Sequence, residues 1–170
     1  MKRRNIAIIA AVVIVVFFIG GGIFVYARYF GPQTVLQTDS DNEHCRQGNV
    51  LDGVVRPSRL TVLSNCEKAI GIVHDMTGIK ADDGDYEFNL DVEQPYKKLL
   101  NAENDKQWHG MLHVEIIPID QNSSSVEIPK NGDKIEVYGA WVADRAYLGL
   151  PFLAGWNEIH PAWTIRILRQ

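Results

Sequence analysis

GDKIEVYGAWVAD, Gly132 to Asp144, followed by GWNEIHPAWTIRIL, Gly155 to Leu168, decides how this chain folds. In the first run, Asn131-Gly132-Asp133 is a turn signal. Ile135, Val137, Gly139 and Trp141 then fall on one face of an extended segment, with polar residues between the first of them. The second run reads as another strand, Trp156–Leu168, with Pro161 as a break or bulge. Two adjacent strands of this length need partners, and the sequence upstream supplies three.

Arg59–Asp75 carries two apolar runs, RLTVL and AIGIVHD, interrupted by Ser64-Asn65-Cys66. It predicts a long first strand, bent or bulged at the interruption. After the Asp82-Asp83-Gly84-Asp85 turn, Tyr86, Phe88, Leu90 and Val92 alternate with Glu87, Asn89 and Asp91. Gly110–Ile117 is the third strand, with Leu112, Val114 and Ile116 on its apolar face. Pro95–Lys106 is the one helical segment among them, with Pro in its first turn. Five strands and one short helix predict a mainly β domain, an OB-like five-stranded barrel. The usual OB helix lies between strands three and four, whereas this one lies between two and three. A different small barrel or a sandwich is the competing architecture.

The two C-terminal runs resemble a group of exported microbial domains with a GDxVxVxGxWVxD segment followed by a GWxEIHPV-like segment. Gly84–Asp91 and Val114–Pro118 fit the same pattern, so the resemblance covers roughly residues 59–168. Glu158-Ile159-His160-Pro161 is its most specific part, and Ala162 departs from it where Val is commoner. The resemblance implies an exported OB-like domain and carries no catalytic residue with it.

Upstream of the domain the composition changes. Residues 1–5 are a basic stub, and Ile6 to Ala27 is an uncharged run of 22 residues, long enough as a helix to cross a bilayer. Lys2, Arg3 and Arg4 precede it and a lone Arg28 follows. The positive-inside rule then places the N-terminus in the cytoplasm and the domain outside the cell membrane. A cleaved signal peptide is the competing reading, but its apolar core is normally shorter. Residues 28–57 read as a polar linker and 58–170 as the exported domain. Past residue 38 only thirteen basic residues face all 21 acidic ones, a net charge of −8. Such a surface repels phosphate backbones and argues against nucleic-acid binding. Cys45 and Cys66, outside the cytoplasm, are expected to form a disulfide. A metal site using His44 and Cys45 is the alternative, without the CxxC spacing that would support it. Asn122-Ser123-Ser124 is a sequon, usable where the host glycosylates exported proteins.

One set of side chains could carry chemistry. His113 and Glu115 are two apart on strand three, and Glu158 and His160 two apart on strand five, so each pair shares a face. Strands three and five are neighbours in an OB barrel, so the four are expected to meet on an outer patch, with His109 able to join. Imidazole and carboxylate suit a divalent transition metal such as zinc, and ordinary cross-strand pairs are the alternative. Trp108 and Trp156, if exposed together, would form a stacking surface for a small ligand. Asp82, Asp83 and Asp85 read as a solvated turn, lacking full calcium-loop spacing. No phosphate loop, HExxH or nucleophile elbow is present. The expectation is a membrane-anchored, non-enzymatic binding module for a small ligand or an envelope protein. Its alternatives are a metal-binding protein or metal-dependent hydrolase, and an envelope assembly factor.

Overall fold

A computed structural model describes residues 11–19, 22–30, 43–78, 80–145 and 155–169. The chain divides into two compact units, Met1–Asp39 and Ser40–Gln170. In the first unit the described residues of the expected helix over 6–27 are extended, and residues 6–10 and 20–21 of it lie outside the described residues. Strand β1 (Ala11–Ile19) pairs antiparallel with β2 (Gly22–Phe30), from Ala11 opposite Phe30 to Ile19 opposite Gly22. Val, Ile and Phe, which dominate both strands, favour extended backbone. Among the described residues no helix is long and apolar enough to cross a membrane. The stub 1–5 and residues 31–42 of the linker lie outside the described residues.

The second unit is a closed five-stranded barrel in the order β3-β4-β5-β7-β6, with β6 returning to β3. Its strands are β3 (Leu60–His74), β4 (Tyr86–Val92), β5 (Leu112–Ile116), β6 (Lys134–Asp144) and β7 (Asn157–Ile167). All neighbours are antiparallel except β5 and β7, which run parallel over His113–Glu158 and Val114–Ile159. The interruption expected in the first strand is there: the β3–β6 register shifts between Val62 and Glu67. Phe88, Leu90, Leu112, Val114, Ile116, Ile135, Val137, Ile159 and Ile165 fill the interior. Their period-two spacing is what sends the intervening polar residues of β4 and β5 to the outer wall.

Pro161 sits in a bulge of β7, where the β6–β7 register shifts on both sides of Gly139. There the backbones approach so closely that a Cβ on Gly139 would lie 2.3 Å from Ile159 Cγ2 and 2.4 Å from the Pro161 carbonyl oxygen. The helical segment after β4 is in two pieces. A 3-10 helix, Gln94–Leu99, stops at Leu100, and helix α1 (Ala102–Trp108) starts afresh under an Asn101 cap. Buried Asn104 ties α1 to β7: its amide donates to the Met111 and Asn157 carbonyls, and its oxygen accepts from Asn157 N. α1 ends in left-handed His109 and Gly110, leaving Trp108 fixed beside the start of β5.

The tether is shorter than the expected 28–57, because its last part packs on the barrel. Cys45 and Cys66 are bonded, with Cα atoms 5.7 Å apart. Trp163 Nε1 donates to the His44 carbonyl, and the Arg46 guanidinium lies 5.1 Å over the Trp163 ring while pairing with Asp120. Val50 is buried beside Ala140, Val142 and Trp163, a second apolar cluster. This strap then runs through Val55, left-handed Arg56 and a 3-10 turn, Pro57–Arg59, into β3.

Candidate functional site

The outer wall formed by β4, β5 and β7 is lined with ionisable groups. Register alone places Glu87 opposite Glu115, Asn89 opposite His113, and His113 beside Glu158. The bulge at Pro161 keeps His160 on this side. His160 Nδ1 lies 3.1 Å from both Glu115 Oε2 and Glu158 Oε1. His113 Nε2 lies 3.4 Å from the other oxygen of Glu115. The two pairs singled out from the sequence therefore meet, with Glu115 between the histidines.

The expected outer patch is not open surface. All four residues are buried, Glu158 completely. Trp108 stacks on His113 at 4.2 Å between ring centroids, and Trp156 meets Trp108 edge-on at 5.3 Å. The strap supplies the opposite wall through Val55, Arg56 and Arg59. Together they enclose a pocket of about 310 Å³, with Glu87, His113, Glu115, Asp144 and His160 lining it. Trp108 and Trp156 are thus brought together as expected, as half-buried walls. His109 is an exposed helix cap and does not line the pocket. Cys45 is held in the disulfide, so the alternative metal site with His44 has no thiolate. Asn122 is exposed in the connection between β5 and β6. The loop 146–154 lies outside the described residues. A larger groove of about 620 Å³ beside Met76, Tyr86 and Ile128 has no carboxylate or imidazole among its lining residues.

Asp85 is the residue the sequence reading misplaced. Instead of a solvated turn it is 1% exposed, its carboxylate 3.5 Å from His160 Nε2. Neither Asp85 oxygen has a hydrogen-bond partner, nor does His160 Nε2. Asp144, which pairs with Arg59 at 2.5 Å, has its other oxygen buried and unpartnered too. A signal was present: Asp85, Glu87 and Asn89 continue one alternating polar face back past the strand's first residue.

Second partners fix the rings. Asn89 donates its amide to Asp75 and offers its oxygen to His113 Nδ1 at 3.0 Å. That holds the proton on Nδ1 and turns Nε2 toward Glu115 and the pocket. His160 Nδ1 is held by Glu158 in the same way, and Glu158 is itself held by the Trp156 indole N–H at 2.6 Å. Both imidazoles therefore present Nε2 as the unengaged or acid-facing nitrogen.

Burial and crowding of carboxylates set the electrostatics of the pocket. Burial, reinforced by Glu158, pushes Glu115 up to about 7 against the pull of the two histidines. Burial alone would lower His160, but Asp85, Glu158 and Glu115 outweigh it and push the imidazole up to about 10. His113 is raised likewise, burial being overcome by Glu115, Glu158 and Glu87. Glu87 is raised by burial and by Asp83, Asp85 and Glu158. Bound protons thus offset the repulsion among carboxylates crowded beside the two imidazoles.

Asp85, Glu115 and His160 each offer a ligand atom, all within 4.8 Å of one another, and Glu87, His113 and Glu115 form a second such set. The donors are imidazole nitrogen and carboxylate oxygen, a set that suits zinc and neighbouring divalent metals. Compared with known proteins, the chain matches no protein family, no curated relative and no solved structure.

Proposed function

We propose that this protein is a membrane-tethered, extracytoplasmic OB-like binding module whose pocket takes a divalent transition-metal cation such as zinc. One observation carries the metal: a fully buried carboxylate, Asp85, with two unpartnered oxygens facing an unpartnered imidazole nitrogen on His160. Buried polar groups left without partners are costly, and a cation shared with Glu115 would satisfy both. The OB-like reading draws on the strand order and on the parallel contact of the third and fifth barrel strands. Binding rather than turnover is favoured because the ionisable groups are packed against one another beneath two indoles.

Tethering draws on the uncharged run at 6–27, the basic residues before it and the disulfide beyond it. In lipid that run would be helical, because a two-stranded hairpin leaves unpaired backbone groups along both edges.

The test is a thermal melt of the full chain, purified in detergent and stripped with chelator. Adding zinc should raise Tm, and the rise should vanish in His160→Ala. A wild-type Tm indifferent to zinc, manganese and cobalt would sink the metal reading.

A further inference from the structure

We propose that the pocket is built for two divalent cations bridged by Glu115, one held by Asp85, Glu115 and His160 and the other by Glu87, His113 and Glu115. This rests on the metal-binding reading above and extends it.

The argument starts with the shared carboxylate. The two ligand sets have only Glu115 in common. Its oxygens are divided between them, Oε1 toward His113 Nε2 at 3.4 Å and Oε2 toward His160 Nδ1 at 3.1 Å, while His160 Nε2 faces Asp85 at 3.5 Å. A carboxylate between two imidazoles, one oxygen to each, is the arrangement by which two-metal sites link their ions. A single-cation pocket has no use for the second imidazole in this position.

The strand register gives an independent reason. Glu87 and Glu115 are directly opposed on β4 and β5. Like charges facing across a ladder are destabilising, and among the described residues only histidines, with no Lys or Arg, pair with Glu115. A cation between them removes the conflict. The charge count points the same way. Asp83, Glu87, Glu115 and Asp144 line the pocket, Asp85 and Glu158 lie against its His160, and only Arg56 and Arg59 oppose these six, Arg59 being matched with Asp144. One divalent ion leaves that surplus incompletely balanced, and two bring it close to neutral. The unpartnered Asp144 oxygen, buried at the same pocket, is a further acceptor without a donor.

The rings are already set for the task. His113 is turned by Asn89 and His160 by Glu158, so each exposes Nε2 without rearrangement. Second partners of this kind typically change metal affinity 10–100-fold when removed.

The experiment is metal stoichiometry on the full chain in detergent, stripped and equilibrated by dialysis with zinc, and separately with manganese for paramagnetic resonance. Two ions per chain are expected for the wild type, with a spin-coupled manganese spectrum. Glu87→Gln should retain one ion and show an isolated manganese signal. His113→Gln should do the same, and serves if Glu87→Gln folds poorly. One ion per wild-type chain overturns the two-ion proposal and leaves the single-cation reading standing. Two ions that persist in both variants also overturn it, because the second ion then lies elsewhere. No bound ion overturns both readings.

Discussion

At the scale of the residue, Asp85 and Gly139 show how differently two small side chains can matter. Asp85 is a buried acid whose oxygens make no hydrogen bond and whose one ionic neighbour is His160, so Asp85→Asn should lower the Tm of the metal-free protein and weaken zinc at least tenfold. A calorimetric melt and a zinc titration on the same variant check both halves. Gly139 matters through space. A Cβ there meets the backbone oxygen of Pro161 at 2.4 Å, which cannot step aside as a flexible side chain would. Gly139→Ala should therefore cost about 2–3 kcal/mol in denaturant unfolding. The pH dependence also belongs here. A carboxyl raised from 4.5 to about 7, like Glu115, binds its proton more tightly when folded, so stability falls as pH rises across that interval. An imidazole raised from 6.5 to about 10, like His160, contributes stability that is complete below 6.5 and lost on approaching 10. Both act in the same direction. The metal-free protein should melt lower at pH 9 than at pH 5, while the increment from zinc should grow with pH, because zinc needs these ligands deprotonated.

At the scale of the element, α1 and the strap turn a polar sheet face into a pocket. Asn104 makes three hydrogen bonds, two of them buried, that fasten α1 to the chain around β5 and β7. Asn104→Ala should cost about 2–4 kcal/mol and release Trp108 from His113, visible as a change in tryptophan fluorescence. The strands themselves were legible, because alternation at Tyr86–Val92 and Ile135–Val137 is a direct record of one wall facing a core. The His113/Glu115 and Glu158/His160 pairing was legible for the same reason: period two fixes the face, and barrel order fixes the neighbour. Burial of that face was not legible. It depends on a strap whose contacts, His44 to Trp163 and Arg46 to Asp120, span more than seventy residues and leave no local pattern. Asp85 was lost for a related reason. A DDGD run reads locally as a turn, and only the docking of β7 makes its last carboxylate internal.

At the scale of the whole molecule, two statements are open to measurement. The loop closed by Cys45–Cys66 spans a separation of 21 residues, so reduction should cost about 3 kcal/mol in the chain-entropy account. Urea unfolding with and without reductant reads this directly. The hydrophobic run at 6–27 should hold the protein in the pellet after alkaline carbonate extraction of host membranes. Release into the supernatant would sink the tethering proposal. The composition of this run serves two masters. Val, Ile and Phe make it apolar enough for a spanning helix and also strong strand formers, and the pairing of β1 with β2 reflects the latter.

The covalent link between Cys45 and Cys66 also decides where mechanical load travels. Tension arriving from the N-terminal side enters at Cys45 and crosses the sulfur bridge straight into β3. The residues between the two cysteines, packed on the barrel through Val50 and paired with β6 from Leu60 onward, lie in parallel with that bridge. Val55, Arg56 and Arg59, which form one wall of the pocket, all belong to that loop. Tension along the chain is thus diverted around the pocket, whose wall it would otherwise load.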